Sequence, residues 1–381
     1  MIKIVTIIGA RPQIIKAAAL SRAVRKISDR IIEVIVHTGQ HYDQNMSAVF
    51  FEELGIPHPD YNMNTGSGNH GIQTAKMISG IEEILLKEQP QCIVLYGDTN
   101  STLAGAIAAS KIHVPVAHIE AGLRSFNKKM PEEINRIVCD HVSTLLFSPT
   151  KAGINNLLHE GFNLDNKAPH TIDNPAIFHC GDIMYDNSLY FSELANIKTR
   201  IVQDNKLRKG EYVLATIHRN SNTDIRENLN NLFWALNEIA RNYNRQIILP
   251  LHPRTSSLLE KSLSDELFQN IQGNDNFKII PPVSFLEMIA LEKESGIVMT
   301  DSGGVQKEAY FFKKPCVILR EETEWTELVE NGSAILAGSD KEKIIQAFEK
   351  LTESKKFNFP EIFGSGNSAE FICSQIIRNF D

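Results

Sequence analysis

The 381-residue chain contains no C-x-x-C pair, and its five cysteines (Cys92, Cys139, Cys180, Cys316 and Cys373) show no metal-ligand spacing. An odd, scattered set of this kind suits a reducing cytoplasm and reads as small core residues, not as staples or nucleophiles. No apolar run approaches the roughly 20 residues needed to span a bilayer. The opening Met1-Ile2-Lys3-Ile4-Val5-Thr6-Ile7-Ile8 is too short for a signal peptide and reads as a first strand. Basic residues are in deficit, 39 against 46 acidic, for a net charge of −7. That balance argues against nucleic acid or an anionic membrane as the main partner. Walker A, G-x-G-x-x-G and metal motifs are missing, so a redox cofactor is not indicated. There is no short repeat and no low-complexity tract.

What remains is 42% hydrophobic and 22% charged, the composition of a globular enzyme with a sizeable core. The length suggests two domains. Short apolar, β-branched runs alternate with longer segments of helical periodicity, the pattern of parallel sheets with helices on both faces. The strand candidates of the first half are 2–8, 31–37, 92–96, 114–119 and 145–148. Those of the second half are 212–217, 246–251, 277–281, 296–300, 316–320 and 334–337. Between them, 226–243 sets Leu229, Leu232, Phe233, Leu236 and Ile239 on one helical face. The expected fold class is therefore α/β, with two Rossmann-like domains facing a cleft. Asn174-Pro175 and Gly181-Asp182 mark the crossover, which places residues 1–175 plus 364–381 in one domain and 176–363 in the other.

In such sheets functional residues sit just past strand C-terminal ends. Asp301-Ser302-Gly303-Gly304-Val305-Gln306-Lys307-Glu308 follows an apolar strand and opens a helix. A serine and two glycines there allow close backbone approach and leave helix N–H groups for an anion, typically phosphate. Glu308, one turn further on, suits the hydroxyls of a neighbouring polyol. The other reading of Ser302 is a plain helix cap.

Polar turns recur at the other strand ends. They are Gly9-Ala10-Arg11-Pro12-Gln13 with Lys16, Thr38-Gly39-Gln40-His41, Gly97-Asp98-Thr99, Glu120-Ala121-Gly122-Leu123-Arg124, His218-Arg219-Asn220 and His252-Pro253-Arg254. Each has an ordinary alternative. Asp98 can cap a helix, Arg11 and Lys16 can be a solvated face, and His218 and His252 can be core residues. Glu132-Glu133 after Pro131 can be first-turn acids at a helix start. Their concentration at strand ends favours a site. Three acids (Asp98, Glu120 and Glu132) with a histidine supply proton donors and acceptors, and crowded carboxylates raise one another's pKa.

Gly9-Ala10-Arg11-Pro12, Gly97-Asp98-Thr99, His118-Ile119-Glu120-Ala121-Gly122-Leu123-Arg124, Pro131-Glu132-Glu133-Ile134-Asn135-Arg136, His218-Arg219 and Asp301-Ser302-Gly303-Gly304 follow one another in a recognisable order. Over nearly its whole length the chain resembles the non-hydrolysing UDP-N-acetylglucosamine 2-epimerases. The resemblance implies the glycosyltransferase-B architecture, with a C-terminal helix returning to the first domain. It also implies a cytoplasmic homodimer acting on a UDP-sugar without cofactor or metal. Asp98, Glu120, Glu132 and His218 match the catalytic positions of that family. Arg11, Lys16, Arg136, His218, Ser302, Gly303, Gly304 and Glu308 match its UDP- and substrate-binding positions. The implied reaction expels UDP from C1 while the C2 proton is removed. UDP then adds back to the resulting 2-acetamidoglucal as the proton returns on the opposite face.

The chain departs from the commonest bacterial pattern at Asn220-Ser221, at Tyr42 and at Thr323-Glu324-Trp325-Thr326-Glu327. These positions surround the place where some members bind a second, activating UDP-sugar, so activation of that type is not expected. Arg124-Ser125-Phe126-Asn127 with Thr323-Glu324-Trp325 also resembles the branch acting on UDP-2,3-diacetamido-2,3-dideoxyglucuronate, for which Arg124, Lys128 or Lys129 would supply a cation to the C6 carboxylate. The ordinary alternative is that both lysines are solvated and Arg124 pairs with a structural acid. UDP-N-acetylglucosamine is the expected substrate and that uronate the alternative. A retaining glycosyltransferase and a hydrolysing epimerase rank below both.

Overall fold

The computed structural model describes residues 1–39, 55–251, 259, 262–354 and 357–381. Gln40-His41, Tyr42 and His252-Pro253-Arg254 lie outside the described residues. The chain forms two compact units, Met1–Asn187 with Glu361–Asp381, and Ser188–Pro360.

The first unit holds a parallel sheet of seven strands: β1 (Ile2–Ile8), β2 (Ile31–His37), β3 (Tyr61–Asn62), β4 (Cys92–Tyr96), β5 (Val116–Ile119), β6 (Leu145–Ser148) and β7 (Ala176–His179). Their order is β3-β2-β1-β4-β5-β6-β7. β1 and β4 through β6 are apolar almost throughout and buried on both faces, as expected where helices cover both sides of a parallel sheet. Ala104, Ala106, Ala108 and Ala109 of the Asn100–Lys111 helix join Ile7, Ile93 and Leu95 in the core. β7 pairs with β6 from Leu145↔Ala176 to Ser148↔His179. The chain therefore leaves the first sheet after residue 179, between Asn174-Pro175 and Gly181-Asp182.

The C-terminal helix Ser368–Phe380 belongs to the first unit. Ion pairs at 2.7 Å join Lys26 to Glu370 and Arg30 to Asp381. The Asp186 carboxylate accepts from the helix-opening N–H groups of Ser368 and Ala369 at 3.1 and 2.8 Å, a favourable place for negative charge.

The second unit holds β8 (Val213–Thr216), β9 (Ile247–Pro250), β10 (Phe277–Ile280), β11 (Ile297–Thr300), β12 (Cys316–Ile318) and β13 (Ala334–Leu336), in the order β10-β9-β8-β11-β12-β13. The helix Arg226–Asn242 packs Leu229, Leu232, Phe233, Leu236 and Ile239 into its core, as their spacing requires. All five cysteines are buried and free. Among the described residues, no helix is long and apolar enough to cross a membrane.

Candidate functional site

In the first sheet the chain turns from β1 towards β2 on one side and later to β4 on the other, so the crevice between β1 and β4 is the topological switch point, where α/β sheets bind ligands. The turn after β1 starts the Arg11–Lys26 helix, with Arg11 exposed at its first position. Gln13 braces that turn. Its Oε1 accepts from the Gly9 and Ala10 N–H groups at 2.9 and 3.2 Å, and its Nε2 donates to the Tyr96 carbonyl of β4 at 3.0 Å. Lys16 is not a solvated cation: its ammonium pairs with Glu120 past the end of β5, with side-chain exposures of 13% and 9%. Removing one partner of a buried pair typically costs about 3–5 kcal/mol, because the other charge is left uncompensated.

Glu120 itself adopts φ +75. For a non-glycine residue this conformation stores on the order of 1–3 kcal/mol and is found chiefly where function fixes the geometry. The Glu120 and Ala121 N–H groups both donate to the Phe147 carbonyl, at 3.0 and 3.1 Å, and lock the turn. Gly97 also has a positive φ, +60, and a Cβ there would lie 3.1 Å from Glu120 Oε2 and 3.2 Å from Lys16 Nζ. Only glycine fits that approach. Asp98 follows, and it does not cap the next helix; Thr99 does, accepting from Thr102 N–H at 3.3 Å. The Asp98 carboxylate instead pairs with Arg136, and Asn135 donates to its carbonyl at 2.8 Å.

Arg136 and Asn135 lie on the Pro131–His141 helix, which also carries Glu132, exposed in its first turn, and Glu133, which is 1% exposed. The last turn of the same helix supplies Asp140, fully buried. Asp140 Oδ1 accepts from His118 Nδ1 at 2.6 Å, and His118 Nε2 donates to the Gly97 carbonyl at 2.8 Å. With an acceptor on each ring nitrogen, His118 carries both protons. Burial opposes that charge, but Cys139 and Asp140 outweigh it and push the His118 pKa well above its ordinary value. Asp140 Oδ2 accepts from Gly122 N–H at 3.0 Å and from Arg124 at 2.8 Å. One helix thus ties together the turns bearing Asp98 and Glu120.

Of the two readings of Arg124, the structure shows the pairing with structural acids. Its side chain is 1% exposed, and beyond Asp140 it donates twice to Glu160, at 2.7 Å each. Its fork is occupied by structural acids.

The second unit repeats the logic at the switch point between β8 and β11. Thr216 and Thr300 are opposite in register, so the turns that follow them, bearing His218 and Asp301, are neighbours. Asp301, 0% exposed, accepts from the backbone N–H groups of His218 and Arg219, each at 3.0 Å, and from Asn222 Nδ2 at 3.0 Å. Its Oδ1 also lies 2.8 Å from His218 Nδ1. Burial alone would raise the Asp301 carboxyl, but the His218 ring and these hydrogen bonds hold it below the usual carboxylate range. In the tautomer that directs Nδ1–H at Asp301, Nε2 is the ring nitrogen left to accept.

Ser302 caps the Gly303–Phe311 helix, accepting from Val305 N–H at 3.4 Å. A Cβ at Gly303 would lie 3.2 Å from Glu324 Oε2 and 3.7 Å from Trp325 Nε1. Glu324 is held by both Arg320 nitrogens at 3.0 and 3.1 Å, and Lys307 Nζ sits 4.4 Å above the Trp325 ring. The Thr323-Glu324-Trp325 departure therefore packs against the opening of the helix that carries Glu308. Glu308 is half-buried beside Glu292, which is fully buried. Burial first, and then Glu308, push the Glu292 carboxyl well above its ordinary range, which favours its protonated form.

The sequence model of the UDP-N-acetylglucosamine 2-epimerase family matches residues 24–377. The chain belongs to this family. A Methanococcus maripaludis protein described as a UDP-N-acetylglucosamine 2-epimerase homolog is 51% identical over 99% of both chains. The UDP-2,3-diacetamido-2,3-dideoxy-D-glucuronate 2-epimerase of Pseudomonas aeruginosa is 46% identical over 99% of both. The solved structure of Methanocaldococcus jannaschii UDP-GlcNAc 2-epimerase in complex with UDP-GlcNAc and UDP matches with a TM-score of 0.80 at 44% identity, covering 99% of each chain. The protein is thus an epimerase, an isomerase, of the two-domain α/β type.

Within this epimerase the structure pairs Lys16 with Glu120, Asp98 with Arg136, and His218 with Asp301. Arg11 and Glu132 stand exposed at helix starts. Sequence reasoning missed Asp301 as the partner of His218, and Glu133 and Asp140 as supports. The signal for Asp301 was an acid ending an apolar strand. Reading its role required knowing that β8 and β11 are adjacent.

Proposed function

We propose that the protein interconverts UDP-N-acetylglucosamine and UDP-N-acetylmannosamine by eliminating UDP to a 2-acetamidoglucal and adding it back. The observation that carries this reading is the set of three side-chain pairs at the two switch points, Lys16 with Glu120, Arg136 with Asp98 and His218 with Asp301. Asp98 and Glu120, each held by a cation, are positioned to move a proton at C2. Glu132, on the helix that carries Arg136, completes the acid set. Asp301 orients His218 beside the Ser302-Gly303-Gly304 helix opening. In the second unit that opening stabilises charge growing on the departing diphosphate and Glu308 holds the ribose hydroxyls; Arg11 and Lys16 are the cations that the first unit offers to the substrate. The protein works as a cytoplasmic homodimer in this reading.

The second substrate, UDP-2,3-diacetamido-2,3-dideoxyglucuronate, is favoured by the relative that acts on it at 46% identity. With Arg124 engaged by Asp140 and Glu160, the remaining candidates for its C6 carboxylate are Lys128 and Lys129, both exposed. The test is kcat/KM for both UDP-sugars on one preparation, run in D₂O with oxygen label in the C1–O–P bridge. Deuterium at C2 and scrambling of the label into the β-phosphate are expected. A preference of about a hundredfold or more for the uronate would reassign the substrate.

A further inference from the structure

Glu133 does more than supply negative charge to a helix start. Its Oε2 accepts from Ser125 N–H at 2.8 Å and from Ser125 Oγ at 2.9 Å, and its Oε1 accepts from Phe126 N–H at 2.9 Å. Burial alone would raise its pKa, but these bonds and Arg136 hold the carboxyl below the usual range. Two consecutive backbone donors of the loop after Arg124 are thus gathered by one side chain, not by other backbone. Phe126 adopts φ +58 while its ring is 80% exposed, so no packing of the ring explains the strained backbone. The clamp by Glu133 does. Further along, the Asn127 side chain accepts from Lys129 N–H at 3.1 Å and its carbonyl from Met130 N–H at 3.0 Å, which closes the turn back into the helix. Glu133 Oε2 also lies 3.4 Å from Arg136 NH1, while NH2 of the same guanidinium pairs with Asp98.

We propose that Glu133 is a positioning residue that joins the order of the Ser125–Met130 loop to the aim of Arg136, and through Arg136 to the placement of Asp98. The inference rests on the reading of Asp98 as catalytic. A carboxylate is required because donors converge on both oxygens. A carboxamide has one acceptor oxygen and would turn an NH₂ either towards Phe126 N–H or towards Ser125 N–H and Arg136, so a loop donor is lost either way. The loop that Glu133 holds also carries Lys128 and Lys129, so the clamp governs where those two cations stand.

The experiment is Glu133→Gln, assayed on the full chain for turnover, UDP affinity and tryptic cleavage after Lys128 and Lys129, with sites mapped by mass spectrometry. Cleavage in the loop is expected to quicken by about tenfold or more while the rest of the chain stays as resistant as wild type. kcat is expected to fall about tenfold or more, with the UDP dissociation constant changed by less than about threefold. Unchanged loop cleavage would overturn the clamp, and a freed loop with wild-type kcat would overturn its link to Asp98. Should Glu133→Gln not fold, Ser125→Ala removes one donor without touching the helix. It is then expected to quicken cleavage and lower kcat by about two- to fivefold, and no change in either would overturn the proposal. Wild-type turnover in Asp98→Asn would defeat the catalytic reading separately, because the cleavage measurement does not depend on it.

Discussion

Replacing Asp301 by asparagine is the sharpest probe of how this epimerase prepares His218. The carboxylate is 0% exposed and accepts from two backbone N–H groups and Asn222, with His218 Nδ1 at 2.8 Å. An amide keeps the shape but has one acceptor oxygen, so its NH₂ must face at least one of these donors. If the NH₂ faces His218, the ring is forced to accept at Nδ1 and carry its proton on Nε2. The free nitrogen then becomes a donor, the reverse of the wild-type arrangement. Losing a hydrogen bond to a charged group is worth about 1.5–3 kcal/mol, and a buried donor left unmet about 1–3 kcal/mol. kcat is therefore expected to fall by roughly 10- to 150-fold, with a drop of several degrees in Tm. The sign with pH is fixed as well. Because the Asp301 pKa is depressed on folding, its stabilisation is fully present above its unfolded value, about 3.9, and is lost as pH falls through the lower folded value. The Tm gap between wild type and variant should be widest near neutrality and close on acidification. A variant within threefold of wild-type kcat, or a gap that widens on acidification, would refute the reasoning.

Asp98→Asn, Glu120→Gln and Glu132→Gln are each expected to lower turnover by about 10²-fold or more with the fold intact; near-wild-type turnover in any of them removes that residue from the catalytic set. Glu292 titrates in the opposite sense from Asp301. Its raised pKa means that the folded chain holds a proton the unfolded chain releases, so stability declines as pH rises between the unfolded and folded values. Glu292→Gln, neutral at every pH, is expected to raise Tm near pH 8 by about 2–4 °C while leaving UDP affinity within about threefold. Scanning calorimetry across pH with UDP titration checks both, and a lowered Tm at pH 8 would show that the carboxyl is charged.

The strands that were easy to read are the largely apolar ones buried on both faces: β1, β4 and β6 appear at the expected residues, and so does β2, although Ile32 is exposed and Glu33 interrupts its run. β3, only Tyr61–Asn62, is too short to show a period. β7 went unread because Ala176-Ile177-Phe178-His179 sits between Asn174-Pro175 and Gly181, and those flanking residues are equally the marks of a linker. β7 owes its place in the sheet to pairing with β6, a non-local contact that no local pattern encodes. Arg124 was open to two readings for a related reason. A cation between Glu120 and Glu132 looks available to substrate, and only the fold turns it inward to Asp140 and Glu160.

The candidate residues were legible because parallel sheets put chemistry at strand ends, and strand ends are visible in sequence. Their partners were not. Lys16 and Glu120 are 104 residues apart and the His218 ring lies opposite an aspartate 83 positions away; strand order alone makes them neighbours. In the first sheet β1 and β5 both flank β4, so the helix after β1 and the turn after β5 meet over the Gly97 turn. In the second, β8 and β11 are adjacent, which sets Asp301 against His218. In low-dielectric surroundings an ionised group without a partner would neutralise itself. Asp98 and Glu120 each have a cation, and His218 a hydrogen-bonding carboxylate, fixed by a different element, and that is why they can stand at the ends of the strands with a defined direction. The partners, more than the acids themselves, are what separate a reaction centre from a row of helix caps.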